Sequence, residues 1–124
     1  MAKTIALVAH DGQKPQLIDW ARGHKDQLTR HVLFATGTTG GRLEEELGLG
    51  ITRLMSGPKG GDAQLGAMIA EGKLDALIFF IDPMTALPHD VDVKSLLRLA
   101  ILYDTPLAVN AASADAVIEA FAQP

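Results

Sequence analysis

The sequence has no cysteine, and this absence excludes a disulfide framework, a thiolate nucleophile and a cysteine-based metal site. It also lacks a long basic run, and its 15 acidic against 11 basic residues give a formal net charge of -4, so no nucleic-acid partner is expected. The longest apolar runs, such as 76–81, are far too short to span a bilayer. The apolar N-terminal segment runs straight into His10 and Asp11, which favours a strand over a signal peptide and predicts a cytoplasmic protein.

Apolar runs and helical patterns alternate along all 124 residues, of which 48% are hydrophobic, and this length fits one domain, 1–124. Three of the apolar runs are nearly continuous, which is typical of parallel strands covered on both faces. The fold class predicted is α/β: a three-layer α/β/α sandwich around a five-stranded parallel sheet. The predicted strands are 3–9, 31–35, 51–55, 75–81 and 106–110. The predicted helices lie at about 15–24, 39–48, 62–72, 91–104 and 113–122.

Capping residues support several of these helix ends. Gly48 and Gly72 stand where C-caps are expected, because glycine adopts the left-handed conformation at little cost. Ser113 is the expected N-cap of the last helix, since its hydroxyl can accept a bond from the first turn.

Polar residues collect in the five segments that come directly after the predicted strands. The carboxyl ends of parallel strands meet at one edge of the sheet, where open α/β folds bind their ligands, so these segments are expected to form one site. The connections at the opposite edge are short and plain. The five segments are HDGQK (10–14), TGTTGG (36–41), SGPKGGD (56–62), DPMTALPHDVD (82–92) and NAASAD (110–115).

The segment TGTTGG offers backbone amides, hydroxyls and the start of a helix, which together suit a phosphate group. It matches neither the dinucleotide-binding glycine motif nor the P-loop, so a nucleotide is not indicated. A tight turn capped by Thr38 accounts for the same residues equally well.

The glycine-rich segment SGPKGGD suggests backbone brought close to a ligand, with Ser56 as a donor. Asp62 at its end is either the N-cap of the next helix, the commoner use of such an Asp, or a general base facing the crevice.

The segment HDGQK places His10 and Lys14 where they can bind an anion. The plainer interpretation is a turn at Asp11 with a solvated Lys14. His24 and His31 fall outside the five segments, and we interpret them as structural.

The segment 82–92 contains one histidine and three carboxylates, more polar groups than one helix cap needs. His89 beside carboxylates is suited to polarise a carbonyl or carry a proton, while Asp90 or Asp92 can cap the following helix. Asp11, Asp62 and His89 would also suit a hard metal ion. Phosphate donors, a cation, a base candidate and this histidine on one edge predict a small-phosphate enzyme working by acid–base chemistry.

The segments ALVAHD, ATGTTG, SGPKGGDAQLGAMIAEGKLDALIFFIDP and PHDVDVKSLLRLA closely resemble the methylglyoxal synthases, in order and at matching spacing. The resemblance covers nearly the whole chain, from Ile5 to about Ile118. It implies conversion of dihydroxyacetone phosphate to methylglyoxal and inorganic phosphate, with no metal or organic cofactor. It also implies the strand order 3-2-1-4-5 and a homohexamer.

The resemblance also implies roles for individual residues. Asp62 matches the catalytic base, His89 the group that hydrogen-bonds the substrate carbonyl, and Asp92 the partner of His89. Asp11 and Asp82 match supporting acidic positions. The implied substrate-binding positions are His10, Lys14, Thr36, Gly37, Thr38, Thr39, Ser56, Gly57 and His89.

Two other functions compete with this one. A regulatory module of the same fold would bind phosphate or a phosphorylated metabolite and would need no base. A metal-dependent phosphohydrolase would use the four residues His10, Asp11, Asp62 and His89.

Overall fold

The computed structural model describes residues 2–84 and 93–122, and His89, Asp90 and Asp92 lie outside them. The five strands are β1 (Thr4–Ala9), β2 (Val32–Thr36), β3 (Ile51–Leu54), β4 (Ala76–Phe80) and β5 (Leu107–Ala108). The helices are α1 (Lys14–Gly23), α2 (Lys25–Leu28), α3 (Gly37–Leu47), α4 (Gly61–Ala70), α5 (Val93–Leu102) and α6 (Ala111–Phe121). Two single 3-10 turns cover Asp11–Gln13 and Gly57–Lys59.

The five strands form one parallel sheet in the order β3-β2-β1-β4-β5, which confirms the predicted topology. In the central strand, Leu7 pairs with Ala35 of β2 on one side and with Ile78 of β4 on the other. The strand order reverses between β1 and β4, so the segments after these two strands flank the crevice in which such sheets bind ligands.

Alternate residues of β1 enter two separate hydrophobic cores. On one face, Ile5 and Leu7 pack with side chains of α1, α3 and α6. On the other face, Ala6 and Val8 pack with side chains of α4 and α5. Because successive side chains of a strand point to opposite faces, this division shows helices on both sides of the sheet. The three-layer sandwich is confirmed.

Several local predictions differ from the structure. The last helix begins earlier than expected: Asn110 is its N-cap, and Ser113 occupies the third helical position, where the two residues form a capping box. Helix α2 was not predicted, and β5 is only two residues long. Gly48 is the left-handed C-cap of α3, as predicted. Gly72 lies one residue past the C-cap of α4, again with positive φ.

His24 and His31 have structural contacts, as expected. Nε2 of His24 lies 3.1 Å from Oδ1 of Asp115, which also accepts a bond from Nε1 of Trp20 at 2.8 Å. Nδ1 of His31 accepts a hydrogen bond from the backbone N–H of Lys3 at 3.0 Å and so secures the chain ahead of β1. In the described ranges, no helix is both long and apolar enough to cross a membrane.

Candidate active site

A cavity of about 200 Å³ opens at the carboxyl edge of the sheet. Three consecutive strand–helix connections, those after β1, β2 and β3, supply its wall. Every described residue that the resemblance assigns to substrate binding lines it, except His10. The lining residues are Ala9, Asp11, Lys14, Thr36, Gly37, Thr38, Thr39, Ser56, Gly57 and Pro58.

The first turn of α3 forms one side of this cavity. Its N-cap is Thr36, in extended conformation and without a side-chain capping bond, so the predicted cap at Thr38 is wrong. The N–H groups in a helix's first turn have no partner within the helix, and the helix dipole favours an anion there. The hydroxyl of Thr39 is buried in the same wall, with 1% of the residue exposed, and its Oγ1 has no hydrogen-bond partner within the described ranges. This turn therefore offers unfilled hydrogen-bonding capacity toward the cavity.

Two glycines let the second side of the cavity approach the first. A Cβ atom at Gly37 would lie 3.2 Å from the backbone nitrogen of Ser56, tighter than ordinary packing. A Cβ at Gly61 would overlap the carbonyl oxygen of Met55 and lie 3.0 Å from that of Ser56. The absence of side chains at Gly37 and Gly61 therefore brings the first turns of α3 and α4 against the segment that carries Ser56.

Lys14 places a positive charge in the cavity wall. Its Nζ lies 2.6 Å from Oδ1 of Asp11, and its side chain is 17% exposed while that of Asp11 is 55% exposed. The solvated lysine of the plainer interpretation is therefore wrong. Asp11 orients the ammonium group from the solvent side, so Lys14 has further donors for an anion in the cavity.

His10 is 6% exposed and lies in the chain between the lining residues Ala9 and Asp11. Its Nδ1 accepts a hydrogen bond from the backbone N–H of Asp82 at 2.9 Å. A nitrogen that accepts carries no proton, so this contact selects the tautomer with hydrogen on Nε2. His10 does not line the cavity itself, but the contact joins the ends of β1 and β4 across the crevice.

Asp82 forms an ordinary turn. Its Oδ1 accepts a bond from the backbone N–H of Met84, two residues on, at 3.0 Å, as aspartate commonly does in turns. Its Oδ2 lies against the chain after β1, 2.6 Å from where a Cβ of Gly12 would be. The bond that joins the two flanking segments is the one from the backbone N–H of Asp82 to His10, and the carboxylate packs beside it.

Asp62 is the second residue of α4, and the N-cap of that helix is Gly60, with a φ of 123°. The prediction of Asp62 as an N-cap is therefore wrong. The side chain is partly buried, and its Oδ1 is shielded from solvent. A carboxylate in a helix's first turn is favoured by the helix dipole. Asp62 does not line the cavity; it comes four residues after Pro58, the last residue of the lining segment.

Sequence reasoning missed one contact of this site. The backbone N–H of Met55 donates to Oε1 of Gln64, in α4, at 2.8 Å. The predicted metal alternative relied partly on His89, which is not described. Across 2–84 and 93–122, no three His, Asp or Glu side chains are grouped so that they could hold a metal ion.

Comparison with known proteins agrees with this fold and identifies the family. A family model described as the MGS-like domain matches residues 16–109, which defines the class of domain. A methylglyoxal synthase of Pseudoalteromonas atlantica is 60% identical over 118 residues, 95% of this chain and 87% of that protein. One of Leptospira interrogans is 53% identical over 116 residues, 94% of this chain and 78% of that protein.

The same relationship holds in three dimensions. The crystal structure of methylglyoxal synthase from Elizabethkingia anophelis superposes with a TM-score of 0.93 at 52% identity, covering 99% of this chain and 79% of that one. The chain therefore belongs to the methylglyoxal synthase family, and it is a lyase.

Proposed function

We propose that this enzyme converts dihydroxyacetone phosphate to methylglyoxal and inorganic phosphate. The cavity carries the proposal: a helix N-terminus, the buried hydroxyl of Thr39, the ammonium group of Lys14 and the segment of Ser56 and Gly57 surround a space suited to a small phosphorylated molecule. Asp62, in the adjoining helix, supplies a carboxylate for proton transfer. The family relationship supports the same reaction.

Binding begins with the phosphate group. Its oxygens accept bonds from the first-turn N–H groups of α3, from the hydroxyls of Thr39 and Ser56 and from the ammonium of Lys14. These contacts also hold the carbon chain of the substrate in one orientation. An oriented substrate reacts faster because the entropy of alignment is lost on binding rather than in the transition state.

Proton removal is the next step. The aldehyde carbon of methylglyoxal derives from the hydroxymethyl carbon of the substrate, so Asp62 removes a proton from that carbon. His89 donates a hydrogen bond to the carbonyl oxygen and stabilises the negative charge of the enediolate, and Asp92 orients His89. The resemblance assigns His10 to substrate binding, and the donor that it offers is Nε2, because the backbone of Asp82 occupies Nδ1.

Elimination completes the reaction. The hydroxyl on the deprotonated carbon gives up its proton as that carbon becomes the aldehyde, and the oxygen of the former carbonyl takes up a proton. The π electron pair shifts to form a carbon–carbon double bond to the phosphate-bearing carbon, the C–O bond to phosphate breaks, and phosphate leaves with both electrons. The resulting enol takes up a proton at its terminal carbon and becomes methylglyoxal. This step requires the C–O bond to stand perpendicular to the enediolate plane, whereas an isomerase must hold it in the plane.

The test of this proposal is the ratio of methylglyoxal to phosphate released. Protein treated with EDTA and incubated with dihydroxyacetone phosphate is expected to release methylglyoxal and phosphate in equal amounts. Phosphate without methylglyoxal would indicate a hydrolase, and metal-dependent release would favour the metal alternative. Tight binding of substrate without turnover would indicate the regulatory module.

We also propose the homohexamer that the resemblance implies. Exposed apolar side chains at the end of α5 support an assembly: Ile101 is 75% and Leu102 68% exposed. Sedimentation should give six times the chain mass of 13.2 kDa, and a monomer would contradict the proposal. The cytoplasmic location stays a prediction.

A further inference from the structure

The side chain of Gln64 makes a hydrogen bond that has no part in the proposed reaction steps. Its Oε1 accepts a hydrogen bond, 2.8 Å long, from the backbone N–H of Met55, the residue directly after β3. Among the described residues, β3 is at the edge of the sheet and pairs with β2 alone, so no further described strand holds its end. The side chain of Gln64 does so from α4.

Two backbone contacts meet the same short segment. The N–H of Gly37 lies 3.4 Å from the carbonyl oxygen of Met55, and the N–H of Gly61 donates to that of Ser56 at 2.9 Å. The first contact comes from the start of α3 and the second from the start of α4. Of the three contacts, the one with Gln64 is made by a side chain, so substitution can remove it while the backbone contacts stay.

We propose that Gln64 is a positioning residue that sets the phosphate contacts relative to the base; this inference rests on the proposed function. Asp62 and Gln64 are two residues apart in the first turns of α4. The segment that begins at Met55 continues into Ser56 and Gly57, which line the cavity. The bond from Gln64 to Met55 therefore ties the helix bearing the base to the wall that holds the phosphate.

Proton removal and phosphate expulsion depend differently on the hydrogen bond between Gln64 and Met55. Removal of the proton requires the base and the polarised carbonyl, and tolerates a phosphate that is poorly aligned. Expulsion of phosphate requires its C–O bond to stay perpendicular to the enediolate plane. When the segment of Ser56 loosens, the enediolate is expected to return to substrate more often, by taking a proton back at the carbon that lost it. The ratio of return to elimination therefore reports on positioning.

The experiment measures that ratio in D2O by NMR, as deuterium in recovered dihydroxyacetone phosphate against methylglyoxal formed. Gln64→Met keeps the length of the side chain but has no comparable acceptor. It is expected to raise the ratio, and to lower kcat, about 3- to 10-fold, the effect of one hydrogen bond. Gln64→Glu is the matched control, because a carboxylate oxygen can accept from the same N–H, and its ratio is expected to stay near that of the unsubstituted enzyme.

A merely structural role would lower the amount of folded enzyme and leave the ratio unchanged. A ratio for Gln64→Met within twofold of the unsubstituted enzyme overturns the inference, including the case in which neither protein shows detectable exchange. A raised ratio in Gln64→Glu equal to that in Gln64→Met overturns it as well. If the unsubstituted enzyme forms no methylglyoxal, the proposed function fails instead.

Discussion

Replacing Thr39 by valine is expected to stabilise the protein while it weakens phosphate binding. Valine has nearly the shape of threonine and lacks the hydroxyl. In the structure that hydroxyl is buried in the cavity wall, and Oγ1 has no hydrogen-bond partner in the part of the chain described. A buried polar group of this kind costs free energy in the folded protein, because it loses its bonds to water and gains none.

The burial of this hydroxyl determines how much the free energy of unfolding and the Kd for phosphate should change. An unsatisfied buried group costs about 1–3 kcal/mol, so Thr39→Val is expected to raise the free energy of unfolding by up to about that amount. For a domain of this length, about 1 kcal/mol corresponds to a rise in Tm of about 4 °C. A bond to a charged phosphate contributes about 1.5–3 kcal/mol, so the Kd for inorganic phosphate should rise about 10- to 150-fold.

The assays are denaturant unfolding without phosphate and calorimetric titration with it. Thr52→Val is the matched control, because Thr52 is exposed on β3. Neither the free energy of unfolding nor the Kd for phosphate should change much in this variant. If Thr39→Val is less stable than the unsubstituted protein, the hydroxyl already has a partner and the reasoning is wrong. An unchanged Kd would show that Thr39 does not contact phosphate.

Three further predictions concern the base, the pH and a helix end. Asp62→Asn should fold normally and lose about 10²–10⁴-fold in kcat, and near-normal turnover would remove Asp62 from the role of base. Burial, with the nearby N-terminus, Arg30 and Lys3, holds the pKa of His31 below its ordinary value of 6.5. The unfolded chain therefore binds this proton more readily, so stability should fall as the pH drops below about 6.5 and level off below the lowered pKa. His31→Gln should reduce that slope in unfolding curves measured from pH 7.5 to 5, and an unchanged slope would contradict the assignment. Asp104 has a φ of 55° just after α5, where glycine is unstrained; Asp104→Gly should raise the free energy of unfolding by about 0.5–1 kcal/mol, and a lower value would show that the aspartate side chain stabilises this turn.

The sheet was predictable because its signals are local in the chain. Nearly continuous apolar strands, each followed by a polar segment, indicate a parallel sheet with these segments at one edge, and the structure confirms the parallel sheet. Helix ends were less predictable, because two neighbouring residues compete for one role. Asn110 and Ser113 both have capping side chains, and only the backbone conformation decides that Asn110 is the cap.

The contacts of the site depend on residues distant in sequence. The burial of Lys14 results from how the connections after β1, β2 and β3 meet, which no residue pattern near Lys14 reveals. The tautomer of His10 is set by a backbone group 72 residues away. Gln64 contacts the backbone N–H of residue 55. Every residue type except proline has this N–H, so the contact cannot be predicted from the residue type at position 55.

Every described residue in the wall of the cavity lies within 9–58, between the end of β1 and the segment after β3. The proposed phosphate contacts therefore come from one continuous stretch of the chain, and the units of β4 and β5 contribute none of the lining described. Under the proposed function, the second half of such a domain can vary, and with it the chemistry, while the proposed phosphate contacts are kept. An enzyme and a metabolite sensor would then differ mainly in the units that lie beyond β3.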